Sequence, residues 1–553
     1  MESGRGRALH DLGMHSTTLG WSWNVPEGRG TSPGGVERAL ERSFGEAHMS
    51  WINAAGLTVA QGRALVAPPR LEALLCLSPF AQASGGSMTD WITPPTDGGE
   101  RLDGTGPTLL TAGRVLTGRR GNAVGSLESI GEDDPAGGAV FIDGARIRAV
   151  GPTAELTARL GQLAEAAGTT PAQVRRVELP GTTLMPGLIE THAHLPTSGT
   201  DVEYPDYGEH DVARLALNAA RSARELLSLG VTSVQSLGAR HYVDVALRDA
   251  IENGDLRGPR ITAAGPQITV TAGHAHHAGG EVDGLDDIRH QVRLHHKRGV
   301  DTIKAMATGG FTTSGSVPWM AQFSQEELTV MFADAHRLGK WTAAHAHGTQ
   351  GIERAVRAGV DYLAHASFIS PAARSEPDPR LADEIAAAGV YVDCTITAEL
   401  PRMLERDDAF APPARMLWEH GVKIVTGHDA GIPGVPNRGY VGGLEALEYV
   451  GLPRTEVLLA ATSRAAAGIG LAGVTGVLAP DFDADLIAVA GDPRTGLGVL
   501  RDLRLVLSRG REFIPDRVPG LAHSTDLDSL AGPGSVLGAW RNRDVLRARH
   551  PEV

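Results

Sequence analysis

Residues 184–195 read Leu-Met-Pro-Gly-Leu-Ile-Glu-Thr-His-Ala-His-Leu. An apolar run from Leu184 to Ile189 leads into His192-Ala193-His194. Side chains at i and i+2 of a strand leave on the same face. A strand here therefore delivers both imidazoles from its end in one direction. Two histidines held that way are a start for a divalent metal such as zinc. An isolated His-x-His pair is equally two polar residues in a loop, so the rest of the chain has to decide.

Toward the C-terminus, strand-like and helix-like periods alternate. Strand-like runs fall at 232–237, 260–264, 302–307, 341–345, 362–365, 390–395 and 423–426. Helical periodicity occupies 211–229, 242–253, 285–298, 325–338, 351–358 and 380–388, and closes with 444–450 and 455–467. Strands alternating with helices build a parallel sheet. The fold class expected is α/β, a (β/α)8 TIM barrel over 184–474, with its chemistry at the C-terminal strand ends.

The flanks read differently. Strand-like runs at 108–116, 139–142, 146–150 and 176–179 include the hairpin signal Asp143-Gly144, and 154–167 reads as helix. Beyond the barrel, 484–489 and 503–508 are strand-like again. Segments 104–183 and 475–515 are thus expected to form one small β-sandwich domain built from both sides of the barrel. Residues 1–103 lack sustained periodicity and read as a poorly ordered N-terminal extension. The stretch 70–83, RLEALLCLSPFAQA, mimics the apolar part of a signal peptide, but Glu72 and Pro79 interrupt it. Residues 516–553 read as a loosely patterned C-terminal tail.

A net charge of −14 argues against a nucleic-acid partner. The sequence has no run of 18 apolar residues, so no membrane span is expected. The two cysteines, Cys76 and Cys394, make no disulfide framework. That fits a reducing compartment and a cytoplasmic location.

Ionisable residues recur at the expected strand ends: His192 and His194, then Lys304, His345, His365 and Asp429. Singly, each has a structural explanation, as a satisfied histidine, a surface lysine or a helix-capping aspartate. Together at one end of one barrel they point to a site. His347 follows His345 by two residues and should face the same way. His274, His276 and His277 fill the loop after the third strand. His274 and His347 are candidate donors to a substrate or oxyanion. For His276 and His277 a solvated loop is an equal reading.

These residues resemble the amidohydrolase superfamily over about residues 105–515. The carriers are PGLIETHAH at 186–194, TIK at 302–304, His345, YLAHA at 362–366, TGHDAG at 426–431 and DADL at 483–486. Gly309-Gly310 and Gln322-Phe323-Ser324 are similar to the branch of Xaa-Pro dipeptidases and ochratoxinase-like amidases, to which imidazolonepropionase is related. His428 stands where the family more often has a small polar residue, with little effect expected. The resemblance implies two divalent ions, zinc being the expected metal, one held by His192 and His194 and the other by His345 and His365. It implies a CO2-derived carbamate on Lys304 bridging them, and Asp429 as ligand and general acid–base. An ammonium between two dications would repel both, whereas a carbamate is a two-oxygen anionic ligand. The implied reaction is attack of a metal-bridging hydroxide on a C–N amide or peptide bond. The implied substrate is a dipeptide, an N-acyl amino acid or a peptide-like natural product. A homo-oligomer is compatible with the resemblance.

Three other readings compete. A cyclic-amide hydrolase of imidazolonepropionase type would use a single metal. A deaminase would often carry a glutamate soon after the fifth- or sixth-strand histidine, where this chain has Ala346-His347-Gly348 after His345. A non-catalytic barrel scaffold would have lost ligands, and here all are kept. Removing residues 1–87, so that the chain starts at Met88, should leave folding and turnover intact. A truncated chain that fails to refold after dilution from urea would contradict this.

Overall fold

The computed structural model describes residues 102–197, 199 and 211–516. The expected extension, except Leu102 and Asp103, and the expected tail beyond Asp516 lie outside the described residues. The strands are, in chain order, β1 (Pro107–Arg120), β2 (Leu127–Ile130), β3 (Gly138–Asp143), β4 (Arg146–Pro152), β5 (Arg175–Pro186), β6 (Leu188–Ala193), β7 (Val231–Ser236), β8 (Arg260–Ala263), β9 (Thr302–Met306), β10 (Trp341–Ala346), β11 (Tyr362–His365), β12 (Tyr391–Asp393), β13 (Lys423–Val425), β14 (Leu486–Ala490), β15 (Leu503–Ser508) and β16 (Arg511–Glu512).

From β6 to β13 the ladders are parallel, with a helix between each strand and the next. Every residue of β6, β7, β9 and β11 is buried, as strands covered on both faces must be. The covering helices present single apolar stripes. Val212–Ser228, capped by Asp211, buries Leu215, Ala219, Ala223 and Leu226. Gln325–Arg337 starts with a reciprocal Ser324–Glu327 capping box and buries Leu328, Met331, Phe332 and Ala335.

Pairing divides these strands into two sheets, β6-β7-β8 and β13-β12-β11-β10-β9. Loop residues carry the hydrogen bonds across both seams. Between β6 and β13, Ala193 bridges Ala430. At the other end of that seam, Ile189 N–H donates to Ala461 C=O (3.0 Å) and Thr426 N–H to Ala460 C=O (3.2 Å). Between β8 and β9, Ile268 bridges Ala305, and the Asp301 carboxylate accepts from Ala263 N–H (2.9 Å). The first seam explains a departure from the periodicity. The helix expected over 455–467 is two, Arg454–Ala460 and Ser463–Gly468, with Thr462 at φ −133° and ψ −102° between them. The break frees the carbonyls of Ala460 and Ala461 for the strands. The helix expected over 154–167 is likewise two, Thr153–Ala158 and Leu160–Ala166, on either side of Arg159.

The flanking strands pair into one eight-stranded mixed sheet, in the order β16-β15-β14-β5-β1-β3-β4 with β2 also on β1. The described ladders thus join into one connected sheet, and the expected sandwich is not shown by them. The cause lies in two long strands. β5 pairs β1 along one edge and β14 along the other. β1 pairs β3 with its first half and β2 with its second. Gly144, at φ 57°, makes the β3–β4 turn.

The closing DADL motif ties this sheet to the barrel. Asp483 pairs with Arg146 (3.0 Å) and with Arg260 at the start of β8. Asp485, whose side chain is fully buried, accepts from Arg509 N–H (2.7 Å) and lies 3.5 Å from Arg260 Nη2. Asp485→Ala leaves the Arg260 guanidinium short of a buried counter-charge. We expect a loss of about 3 kcal/mol, read as a lower urea midpoint at unchanged m-value.

Candidate active site

The polar strand-end residues converge on one cavity. His192, His194, His274, Lys304, His345, His347, His365 and Asp429 all line it. On β10 the strand alternation does the placing. Ala343 points into the small interior cluster with Tyr362 and Ala364, while Ala344 and Ala346 join the outer core against the helices, so His345 faces inward. His365 breaks the alternation. Ala364 before it already faces inward, and a left-handed backbone at His365 (φ 71°) turns the imidazole into the cavity. Asp429 (φ 60°) and Thr395 (φ 50°) adopt the same uncommon conformation. Such strain persists where the surroundings over-determine it, and it gathers at functional sites.

Hydrogen bonds fix the imidazole tautomers. His345 Nε2 lies 3.0 Å from Gly309 C=O, which can only accept, so Nε2 carries the proton and Nδ1 is bare. Thr395 Oγ1 donates to Asp393 Oδ1 (2.6 Å) and so accepts from His365 Nδ1 (2.8 Å), leaving His365 Nε2 bare. The two bare nitrogens face each other at 2.8 Å. His192 Nδ1 lies 3.1 Å from Asp393 Oδ2, and its Nε2 lies 3.2 Å from Asp429 Oδ1. His194 Nε2 is 2.9 Å from the same oxygen. Lone pairs and a carboxylate pointed at one another in a buried space are a donor set for cations. Two triads have ligand atoms within 4.8 Å of one another, His345/His347/His365 and His192/His365/Asp429.

Electrostatics agree. Burial, with histidines as neighbours, holds His345 and His365 well below the usual imidazole range. Burial pushes His274 and His347 down to about 3. All four are neutral at pH 7. Burial alone would raise Asp429, but His192 and His194 outweigh it and hold the carboxyl well below its usual range. Lys304 is 1% exposed, its Nζ has no hydrogen-bond partner, and burial lowers it to about 8. An amine so placed is substantially neutral near pH 8, the form that can react with CO2.

Several supporting residues were not anticipated. Asp393 is fully buried and accepts from His192 Nδ1, Tyr362 O–H (2.6 Å), Thr395 N–H (2.8 Å) and Thr395 O–H. Glu190 accepts from the backbone N–H of His192 (2.8 Å) and of His428 (3.1 Å), and its Oε2 meets His428 Nδ1 at 2.6 Å. His428 therefore has a partner of its own and ties the β6 end to the loop carrying Asp429. Gln322 accepts from His274 N–H (2.6 Å) and donates to Met306 C=O (2.7 Å). Gly310 lies under the His274 ring, which a Cβ there would strike. His347 Nδ1 pairs with Ser367 Oγ (2.9 Å), and its ring stacks on His365 at 4.2 Å. His276 and His277 lie in a short turn and are not among the described cavity-lining residues. The period-two step from Tyr391 to Asp393 and Thr395 was the available sign of the Asp393 network.

The chain belongs to the amidohydrolase family, whose profile matches residues 183–538. An imidazolonepropionase-like composite domain of bacteria matches residues 138–160, within the flanking sheet. Ochratoxinase from Aspergillus niger is 30% identical over 370 residues, covering 58% of this chain and 73% of that protein. The crystal structure of a Xaa-Pro dipeptidase with bound methionine in the active site is 27% identical, with a TM-score of 0.61 over 74% of this chain and 99% of that one. The A. niger ochratoxinase crystal structure, 24% identical, shares the fold with a TM-score of 0.62 over 76% of this chain and 97% of that one. The fold is the TIM-barrel amidohydrolase fold, and the chain is a hydrolase of carbon–nitrogen bonds. No described helix is long and apolar enough to cross a membrane.

Asp393→Ala strands the His192 and Tyr362 donors in a buried space. It should lower stability by about 3 kcal/mol with chelator present. It should also weaken zinc binding by roughly 10–100-fold in competition with a chromogenic chelator. Unchanged zinc affinity would deny Asp393 its orienting role.

Proposed function

We propose that this chain hydrolyses an amide bond of a dipeptide, N-acyl amino acid or peptide-like product with two divalent ions, zinc the best fit. The observation that carries the reading is the pair of bare nitrogens of His345 and His365, facing each other beside a second set made by His192, His194 and Asp429. His192 and His194 would hold one ion and His345 and His365 the other. Lys304, as its carbamate, and Asp429 would add the anionic ligands. Such ions make water acidic enough to deprotonate near neutral pH and polarise a carbonyl oxygen.

The protein's own groups do the rest. Asp429, ionised at neutral pH, takes a proton from the attacking water and delivers it to the departing nitrogen. His347 and His274, both neutral, serve as donors to the carbonyl oxygen as negative charge develops there. For His347, a Ser367 hydroxyl donating to Nδ1 leaves Nε2 protonated and free to donate. Asp393 and Glu190 hold the His192 ring and backbone in place.

Two zinc ions per chain by elemental analysis would support this scheme. A single ion would favour the one-metal cyclic-amide reading, and none after expression with added zinc would defeat it. Asp429→Asn should cut kcat by roughly 10²–10⁴-fold. Metal content measured on the same sample tells proton transfer from ligation. An Asn variant with both metals and near-normal kcat would move the proton-transfer role to another residue.

A further inference from the structure

The cavity has two unlike halves. Its floor is the histidine, lysine and aspartate set. Its wall is apolar and comes from separate loops: Phe311 after β9, Ile369 after β11, Leu400, Met403 and Phe410 between β12 and β13, and Ile432 after β13. Phe311 joins the halves. Its ring stands edge-on to His347 (centroids 5.0 Å, 76°) and edge-on to Phe410 (5.7 Å, 87°). Phe410, Ile369 and Trp319 belong to one buried apolar cluster against which Phe311 packs, so the wall is braced from behind.

Among the described lining residues the only lysine, arginine, aspartate or glutamate side chains are Lys304 and Asp429, and both sit on the floor. A carboxylate lying against this wall would lose its water with no cation to replace it, a cost of several kcal/mol. An aromatic or branched aliphatic group gains there by burial and by edge-to-face contact.

We infer that the substrate's half lying along the Phe311–Phe410 wall is bulky, apolar and uncharged. This rests on the amide-hydrolase reading and narrows it, from zwitterionic dipeptides and free N-acyl amino acids toward neutral amides such as capped peptide ends and aryl or arylalkyl amides.

The test uses full-length zinc-loaded protein and two compounds with the same scissile amide. N-Benzoyl-2-phenylethylamine is neutral, and N-benzoyl-L-phenylalanine adds one carboxylate. Binding is read by calorimetry and cleavage by chromatography. The neutral amide should bind about tenfold tighter or better. Phe410→Ala should weaken it by about tenfold, with a smaller loss for the carboxylate. If Phe410→Ala fails to fold, the pair of wild-type affinities decides alone. Equal or tighter binding of the carboxylate, or no binding of either, overturns the inference. Tighter binding of the neutral amide without cleavage of either compound upholds the inference and counts against amide hydrolysis.

Discussion

Two buried imidazole nitrogens 2.8 Å apart, each with its ring's proton committed elsewhere, repel one another. Much of the site is arranged to hold them there. Gly309 fixes one ring by its carbonyl. Thr395 fixes the other, and Thr395 is itself held by Asp393. His365 adopts a left-handed backbone, which costs a β-carbon residue about 1–3 kcal/mol. A cation held between the nitrogens would relieve that repulsion.

The same logic runs through the supporting groups. Asp393 spans from β12 to the His192 ring and, through Tyr362, to β11. Glu190 spans from β6 to the backbone before Asp429. Gln322 spans from the β9 end to the loop of His274. Each polar group answers a donor on a different strand or loop. A displacement of one strand end is therefore felt at cavity side chains it does not carry. Preorganisation of this kind keeps the donor positions fixed.

Much of this was legible in the sequence, for a definite reason. A buried parallel strand is a short apolar run, and a polar residue at its end is conspicuous. His192, His194, Lys304, His345, His365 and Asp429 stand out in that way, and the structure brings all of them to one cavity. Other features depend on partners far away in the chain. Asp393 looks like any strand residue until Tyr362 and His192 are beside it. The break at Thr462 follows from Ile189 and Thr426 needing carbonyls, which no periodicity in 455–467 announces. The flanking strands were individually visible, but their order was not. β5 meets β14 about 300 residues later in the chain, and an alternating pattern cannot say which edge takes which partner. His365 would by alternation alone have been turned outward.

The flanking sheet also sets a timetable. β5 runs almost directly into β6, so the strand that ends at His192 and His194 is anchored in a sheet finished by the last described strands. Asp103 bridges Arg511, and Leu102 N–H donates to the Glu512 side chain, so the two ends of the described chain close on each other. On the ribosome, β1 to β5 emerge first, and one edge of β5 stays bare while the whole barrel is synthesised. Pairings of such long sequence separation form slowly, and an open apolar strand edge invites other chains. Yield of this protein should therefore depend on growth temperature and on chaperones that shield nascent β-strands more steeply than its final stability would suggest.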